Sequence, residues 1–219
     1  DALWKDPSLL VLPVLTAKAD VLYNELAVGI HTNLTLEEAL RLALLAVAFR
    51  SADLPEKYPL ARFVLWLRHN GYYQVVRQAI ESQGRDFNKE LTNLYVSPYL
   101  ANALLQAYPG FAANPAEARA LLKAQYPAVE DVSEEELLTT LEEVLELQSE
   151  APGKLPLTLL VFDELQQFLG EDSSRTLQVQ TAVEACSARF GSRLLFLATG
   201  QASLEATPQL SKLQGRFKV

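Results

Sequence analysis

The stretch of sequence that decides the fold is Leu157-Thr158-Leu159-Leu160-Val161-Phe162-Asp163-Glu164. Its apolar and β-branched run ends at an acidic pair, which predicts a short strand buried on both faces. A helix is predicted at about residues 174–190, with Gly191 as its stop. A second apolar run at 194–199 predicts another buried strand. Strand, helix and strand of these lengths indicate two parallel strands joined by a right-handed crossover.

The acidic pair is the first candidate for chemistry. Asp163 and Glu164 stand at the carboxyl end of the predicted strand, where open α/β sheets place ligand sites. Four apolar residues followed by two acids form the Walker B pattern. In that interpretation Asp163 holds a hydrated Mg²⁺ ion, and Glu164 orients or deprotonates the water that attacks a γ-phosphate. The alternative is an acidic pair that ends a strand and caps the next helix, and these two residues alone favour neither interpretation.

The second predicted strand ends in Ala198-Thr199-Gly200-Gln201. A hydroxyl or amide there matches the place of the sensor 1 residue of AAA+ ATPases, which hydrogen-bonds the attacking water or the γ-phosphate. Thr199 and Gln201 are both candidates, because a shift of one residue in strand register changes which side chain faces the ligand.

Arg216 is a candidate arginine finger. The stretch around it looks like the part of AAA+ proteins where such an arginine precedes the last strand, and residues 217–219 fit the start of that strand. The planar guanidinium suits phosphate charge. The alternative, that Arg216 is an exposed surface arginine without a catalytic role, fits the sequence equally well.

Three stretches point together to one family: LVFDELQQFLG at 160–170, RTLQVQ at 175–180 and FGSRLLFLATGQ at 190–201. They resemble the P-loop ATPase subunit of BREX phage-defence systems, often labelled BrxC or PglY. The resemblance covers about residues 157–219. It implies a large cytoplasmic AAA+-like ATPase that uses ATP and Mg²⁺, forms a homo-oligomer, and works with a methyltransferase and other BREX subunits to restrict phage DNA.

The sequence departs from that family at the phosphate-binding loop. The only Gly-Lys pair, Gly153-Lys154, is followed by Leu155 and lacks the earlier glycine of G-x-x-x-x-G-K-[ST]. The chain begins at Asp1 and contains no methionine. We therefore expect an internal fragment whose phosphate loop lies upstream, and which alone is inactive as an ATPase.

The rest of the sequence predicts one helix after another. Capping boxes at Thr35 with Glu38 and at Ser133 with Glu136 open two of them. Others fit residues 60–68, 72–82, 98–107 and 115–125, and a short one starts at 207–208. A breaker cluster at 151–153 marks the predicted divide. We expect an α/β fold with an all-helical region at 1–150, and at 151–219 the C-terminal part of an AAA+-like P-loop core whose parallel sheet is incomplete.

Composition argues against several classes of protein. With 19 basic and 27 acidic residues the net charge is −8, which opposes binding to a phosphate backbone, so direct DNA binding by these residues is not expected. Trp4, Trp66, Tyr72 and Tyr73 could suggest a base-stacking surface, but the periodicity of Phe63, Val64 and Leu67 favours core packing instead. A single cysteine, Cys186, and two histidines disfavour a disulfide framework or a zinc site. The sequence contains no apolar run of about 18 residues, so no membrane span is predicted. A cytoplasmic location is expected.

Two other function classes stay open. One is a non-catalytic helical adaptor whose α/β end serves assembly, which predicts that the parent protein lacks a phosphate loop. The other is a STAND-type switch, which binds nucleotide and hydrolyses it slowly. Turnover rate and nucleotide-dependent oligomerisation separate the switch from a motor.

Overall fold

The computed structural model describes residues 9–10, 36–149, 153–162, 165–169 and 172–198. This part of the chain is mostly helical with a small parallel sheet. The strands are β1 (Leu9–Leu10), β2 (Leu157–Phe162) and β3 (Leu194–Ala198), the last preceded by a 3₁₀ turn at Gly191–Arg193. The helices are α1 (Leu36–Ser51), α2 (Tyr58–His69), α3 (Tyr73–Glu81), α4 (Phe87–Thr92), α5 (Pro98–Ala107), α6 (Pro115–Gln125), α7 (Glu134–Leu147), α8 (Leu165–Leu169) and α9 (Ser173–Phe190).

The sheet has the order β1-β2-β3, and both pairings are parallel. β2 and β3 pair in register from Thr158 opposite Leu194 to Phe162 opposite Ala198. The predicted pair of neighbouring parallel strands, joined by a helix, is therefore confirmed. β1 adds a short pairing on the other side of β2, with Leu9 opposite Leu157.

The two faces of the sheet differ in burial, which corrects the prediction of strands buried on both faces. In β2, Thr158, Leu160 and Phe162 are buried, while the residues between them are partly exposed. In β3, Leu195 is 41% exposed and Leu197 is 48% exposed. The helix that joins β2 to β3, α9, packs against β3. Residues Leu195 and Leu197 of β3 therefore mark a face that the described part of this unit leaves partly open.

The described chain forms two compact units, and their bounds differ from the predicted divide near residue 151. One unit comprises the described residues within Asp1–Ala52 and Glu130–Val219, and the other comprises Asp53–Val129. α1 and α7 pack with α9 and so belong to the unit that contains the sheet. A breaker cluster marks where a helix ends, whereas the bounds of a unit depend on which apolar faces meet.

The starts of α5, α6 and α7 follow the capping signals of the sequence. Ser97 accepts a hydrogen bond from the backbone N–H of Leu100 at 3.0 Å, and Ser133 accepts one from Glu136 at 3.1 Å. Asn114 caps α6 by accepting from two backbone N–H groups. Such a cap satisfies donors that the first turn leaves unpaired, and proline at the next position suits the helix start. The bounds of α5 and α6 agree with the predicted 98–107 and 115–125.

Candidate functional site

β2 and β3 end side by side at the carboxyl edge of the sheet. Phe162 lies opposite Ala198, and the ring of Phe162 stacks on that of Phe196 with centroids 5.8 Å apart and planes at 10°. Paired residues of neighbouring strands share a face, so this stack lies on the buried face. The strand ends are thus adjacent, parallel and packed.

The residues predicted to carry chemistry follow these ends in sequence. Asp163, Glu164, Thr199, Gln201 and Arg216 lie outside the described residues, as do the helix predicted to start at 207–208 and the strand predicted at 217–219. Their assigned roles remain predictions. What the structure contributes is the register of the two strands that precede the acidic pair and the Thr199 stretch.

Asp172 caps the crossover helix α9. Its Oδ1 accepts hydrogen bonds from the backbone N–H of Ser174 at 2.8 Å and from the Ser174 hydroxyl at 2.7 Å. These bonds lower the pKa of the Asp172 carboxyl below its usual value, with a smaller contribution from the charge of Arg175. The N-terminus of α9 therefore already carries a carboxylate.

Arg175 ties α9 to the short helix that follows the acidic pair. Its Nη1 donates to the Phe168 carbonyl at 2.8 Å, and its guanidinium carbon lies 5.6 Å from the centre of the Phe168 ring. Its Nε lies 3.7 Å from Asp172 Oδ2 and, within the described part of the chain, donates no hydrogen bond. Arg175 thus helps position the segment between β2 and α9. The sequence signal for it is its i,i+3 spacing from a cap residue.

Cys186 is a core residue, as its place on an apolar stripe indicates. It is fully buried in α9, and burial, with a smaller contribution from Glu134, raises the pKa of its thiol to about 12. A thiolate nucleophile is therefore scarce at neutral pH.

An open cleft of about 430 Å³ lies between α1, α7 and α9. Arg41 and Glu134 are among its lining residues. Arg41 is held by a two-point ion pair with Asp131, in which Nη2 lies 3.1 Å from Oδ2. This pair fixes α1 to the segment before α7.

Replacing Asp172 by Asn is expected to make the protein less sensitive to acid. A carboxyl whose pKa is lowered by folding stabilises the folded state above its unfolded pKa, and this contribution is lost as the pH falls through the folded pKa. Asn caps a helix about as well as Asp but does not titrate there. Thermal melts should therefore agree at pH 7, while the variant loses less stability than the wild type between about pH 5 and pH 2. Parallel curves over that range would contradict this.

No protein-family model matches the chain, and no solved structure matches it significantly. In the described ranges, no helix has both the length and the apolar character needed to cross a membrane. The same ranges contain no group of three or more His, Cys, Asp or Glu side chains placed to hold a metal ion. The fold of the described residues is that of a mainly helical protein with a small parallel sheet.

Proposed function

We propose that the chain carries the Walker B and sensor 1 parts of an AAA+-like P-loop ATPase core. The observation that carries this proposal is the in-register parallel pairing of β2 with β3, which ends at Phe162 opposite Ala198. The next residues in sequence are Asp163 and Thr199. An acidic pair and a hydroxyl beyond adjacent parallel strand ends are of the types that bind Mg²⁺ and position the attacking water in hydrolysis of a γ-phosphate.

Each proposed site residue has a role set by its chemistry. Mg²⁺ in phosphate-transfer sites is usually bound by one or two carboxylates together with waters and substrate phosphates, so Asp163 is of the right type to hold it through water. Glu164 accepts the proton of the attacking water or orients it. Thr199 or Gln201 hydrogen-bonds that water or the γ-phosphate. Arg216 acts on the nucleotide of a neighbouring subunit, as a planar cation that pairs with phosphate oxygens.

The discontinuous unit supports the same proposal. Residues Asp53–Val129 form a unit of their own, while the residues before and after them share a unit with the sheet. The proposal places a helical region, predicted at 1–150, between a phosphate loop and the Walker B strand, and a separate helical unit within that region is compatible with such an insertion. The stretches at 160–170 and 190–201 support membership of the BREX ATPase family. A cytoplasmic homo-oligomer that works with a methyltransferase and other BREX subunits is part of this proposal.

A second candidate stays open. The 219 residues contain no G-x-x-x-x-G-K-[ST] loop, and a non-catalytic helical adaptor would lack this loop in the whole protein as well. A STAND-type switch keeps the loop but turns over slowly. Two observations on the full-length protein separate the ATPase, the adaptor and the switch: whether it contains a phosphate loop, and how fast it hydrolyses ATP.

Titration with Mg-ATP tests the proposal that these 219 residues carry the Walker B and sensor 1 parts of the ATP site but not its phosphate loop. We expect these 219 residues to bind it weakly or not at all, because the backbone N–H groups and lysine of a phosphate loop supply most contacts to the phosphates. The full-length protein, measured in the same calorimeter, should bind it tightly. Low-micromolar affinity in the 219-residue chain would contradict the division, and a full-length protein that fails to bind would overturn the proposed ATPase.

A further inference from the structure

The short helix α8 begins directly after Glu164, the proposed base of the ATP site. It has five residues, Leu165–Leu169, which is fewer than two turns. A helix of this length is not stable by itself, so its position depends on the contacts that it makes with the rest of the protein. Because Glu164 is joined to α8 by one peptide bond, the same contacts constrain the backbone that carries its carboxylate.

Burial fixes which side of α8 faces the core. Leu165, Phe168 and Leu169 are at most 3% exposed, and their spacing of three and four residues places them on one side of the helix. Burial of apolar surface has no preferred direction of contact. These three side chains therefore orient α8 towards the core, but a directional contact is needed to fix the place of its end.

Arg175 makes that directional contact. Its Nη1 donates to the Phe168 carbonyl at 2.8 Å, and its guanidinium carbon lies 5.6 Å from the centre of the Phe168 ring. The last carbonyl groups of a helix have no partner within the helix. One side chain thus supplies the missing donor and also packs on the ring of the same residue.

Arg175 is itself held by a long helix. It lies in the first turn of α9, which has 18 residues and packs on α1, α7 and β3. Its side chain is 14% exposed, and its Nε lies 3.7 Å from Oδ2 of the cap residue Asp172. The short helix next to Glu164 is consequently tied, through Phe168, to one of the most extensively packed elements of its unit.

We propose that Arg175 is a positioning residue of the ATP site, which acts on Glu164 through α8. The inference rests on the proposed ATPase function, and it gives Arg175 no contact with the nucleotide. A general base acts only within hydrogen-bond reach of the water that it deprotonates. A displacement of about 1 Å can lower a rate by about 10²-fold, so the hold on α8 matters for turnover.

Steady-state kinetics of Arg175→Ala in the full-length protein test this role. We expect kcat to fall by at least about tenfold. The KM for ATP should stay within about twofold of the wild-type value, because the contacts to the phosphates are unchanged. Arg175→Lys should recover part of the rate, since an ammonium group can donate to the Phe168 carbonyl but lacks the planar fork. Thermal melts establish that both variants remain folded.

A second background separates positioning from a general structural effect. In Glu164→Gln, which lacks the base, adding Arg175→Ala should cause little further loss of the residual single-turnover rate. The reason is that a positioning residue has no effect without the group that it positions. A general structural effect would lower the rate in both backgrounds by the same factor.

Hydrogen exchange provides a readout that does not depend on activity. The amides of α8 should exchange at least about tenfold faster in Arg175→Ala than in the wild type, because the end of the helix has lost its anchor. Arg193→Ala is the matched control, since Arg193 is an exposed arginine of the same unit in the turn before β3. It should leave both the exchange of α8 and kcat unchanged.

The outcomes distinguish this inference from the function on which it rests. A full-length wild-type protein that does not hydrolyse ATP overturns the proposed ATPase. If the wild type hydrolyses ATP, the role of Arg175 alone is overturned by any of three results. These are a wild-type kcat in Arg175→Ala, an equal loss of rate in the two backgrounds, and wild-type exchange of the α8 amides.

Discussion

Glu164→Gln in the full-length protein should abolish ATP turnover and leave ATP binding intact. A positioned general base contributes about 10²–10⁴-fold to the rate, and glutamine has the shape of glutamate but cannot accept the proton of the attacking water. The phosphate contacts and the proposed Mg²⁺ ligand Asp163 are unchanged, so nucleotide affinity should be preserved. Steady-state phosphate release and equilibrium nucleotide binding measure the two quantities separately.

Glu184→Gln provides the matched control for that experiment. Glu184 is an exposed carboxylate on α9 that accepts a hydrogen bond from Gln180 Nε2 at 3.0 Å, away from the strand ends. The same chemical change there should leave hydrolysis close to the wild-type rate. Unaltered hydrolysis in Glu164→Gln would eliminate Glu164 as the base, and an equal loss in both variants would indicate a general effect of lost charge.

The elements that sequence reasoning located well are those with local signals. β2 has its predicted bounds because an apolar run lies between a proline and an acidic pair. α6 has its predicted bounds because Asn114 caps it and Pro115 occupies its first turn. Capping and period are properties of neighbouring residues, so they can be seen in one sequence without knowledge of the fold.

The elements that it missed depend on distant partners or are too short for a period. β1 is a strand because Leu9 and Leu10 pair with β2, far along the chain. α4 and α8 have six and five residues, fewer than two helical turns, so no periodic stripe distinguishes them. The exposure of one face of β3 was also missed, because the apolar sequence of β3 does not specify which face the helices cover.

The candidate sites divide in the same way. The acidic pair is a candidate that sequence alone can suggest, because the Walker B pattern is local, and its role stays a prediction. The parallel pairing of the two strands, which the sequence also predicted, is confirmed. The contact between the rings of Trp66 and Tyr108 could not be predicted in this way, since Trp66 lies on α2 and Tyr108 directly follows α5. The Tyr-Pro-Gly-Phe turn at 108–111 is the one local signal of it in the sequence.

A disulfide between the two strand ends tests the adjacency on which the ATPase proposal depends. Neighbouring strands lie about 4.8 Å apart, within the Cα separation of about 4.4–6.8 Å that a disulfide spans. Asp163→Cys with Thr199→Cys places thiols one residue beyond the Phe162–Ala198 pair. The native Cys186 is buried with a raised pKa, so it should not compete. Ser192→Cys is the control partner for Asp163→Cys, because Ser192 is exposed and lies before the opposite end of β3, a strand of five residues that spans about 16 Å.

Mass spectrometry of the cross-linked peptides after mild oxidation is the most direct measurement of this claim. We expect a disulfide between positions 163 and 199 in most molecules of the first variant, and almost none between 163 and 192 in the control. Absence of the 163–199 disulfide, or equal yields in the two variants, would contradict a common crevice for Asp163 and Thr199.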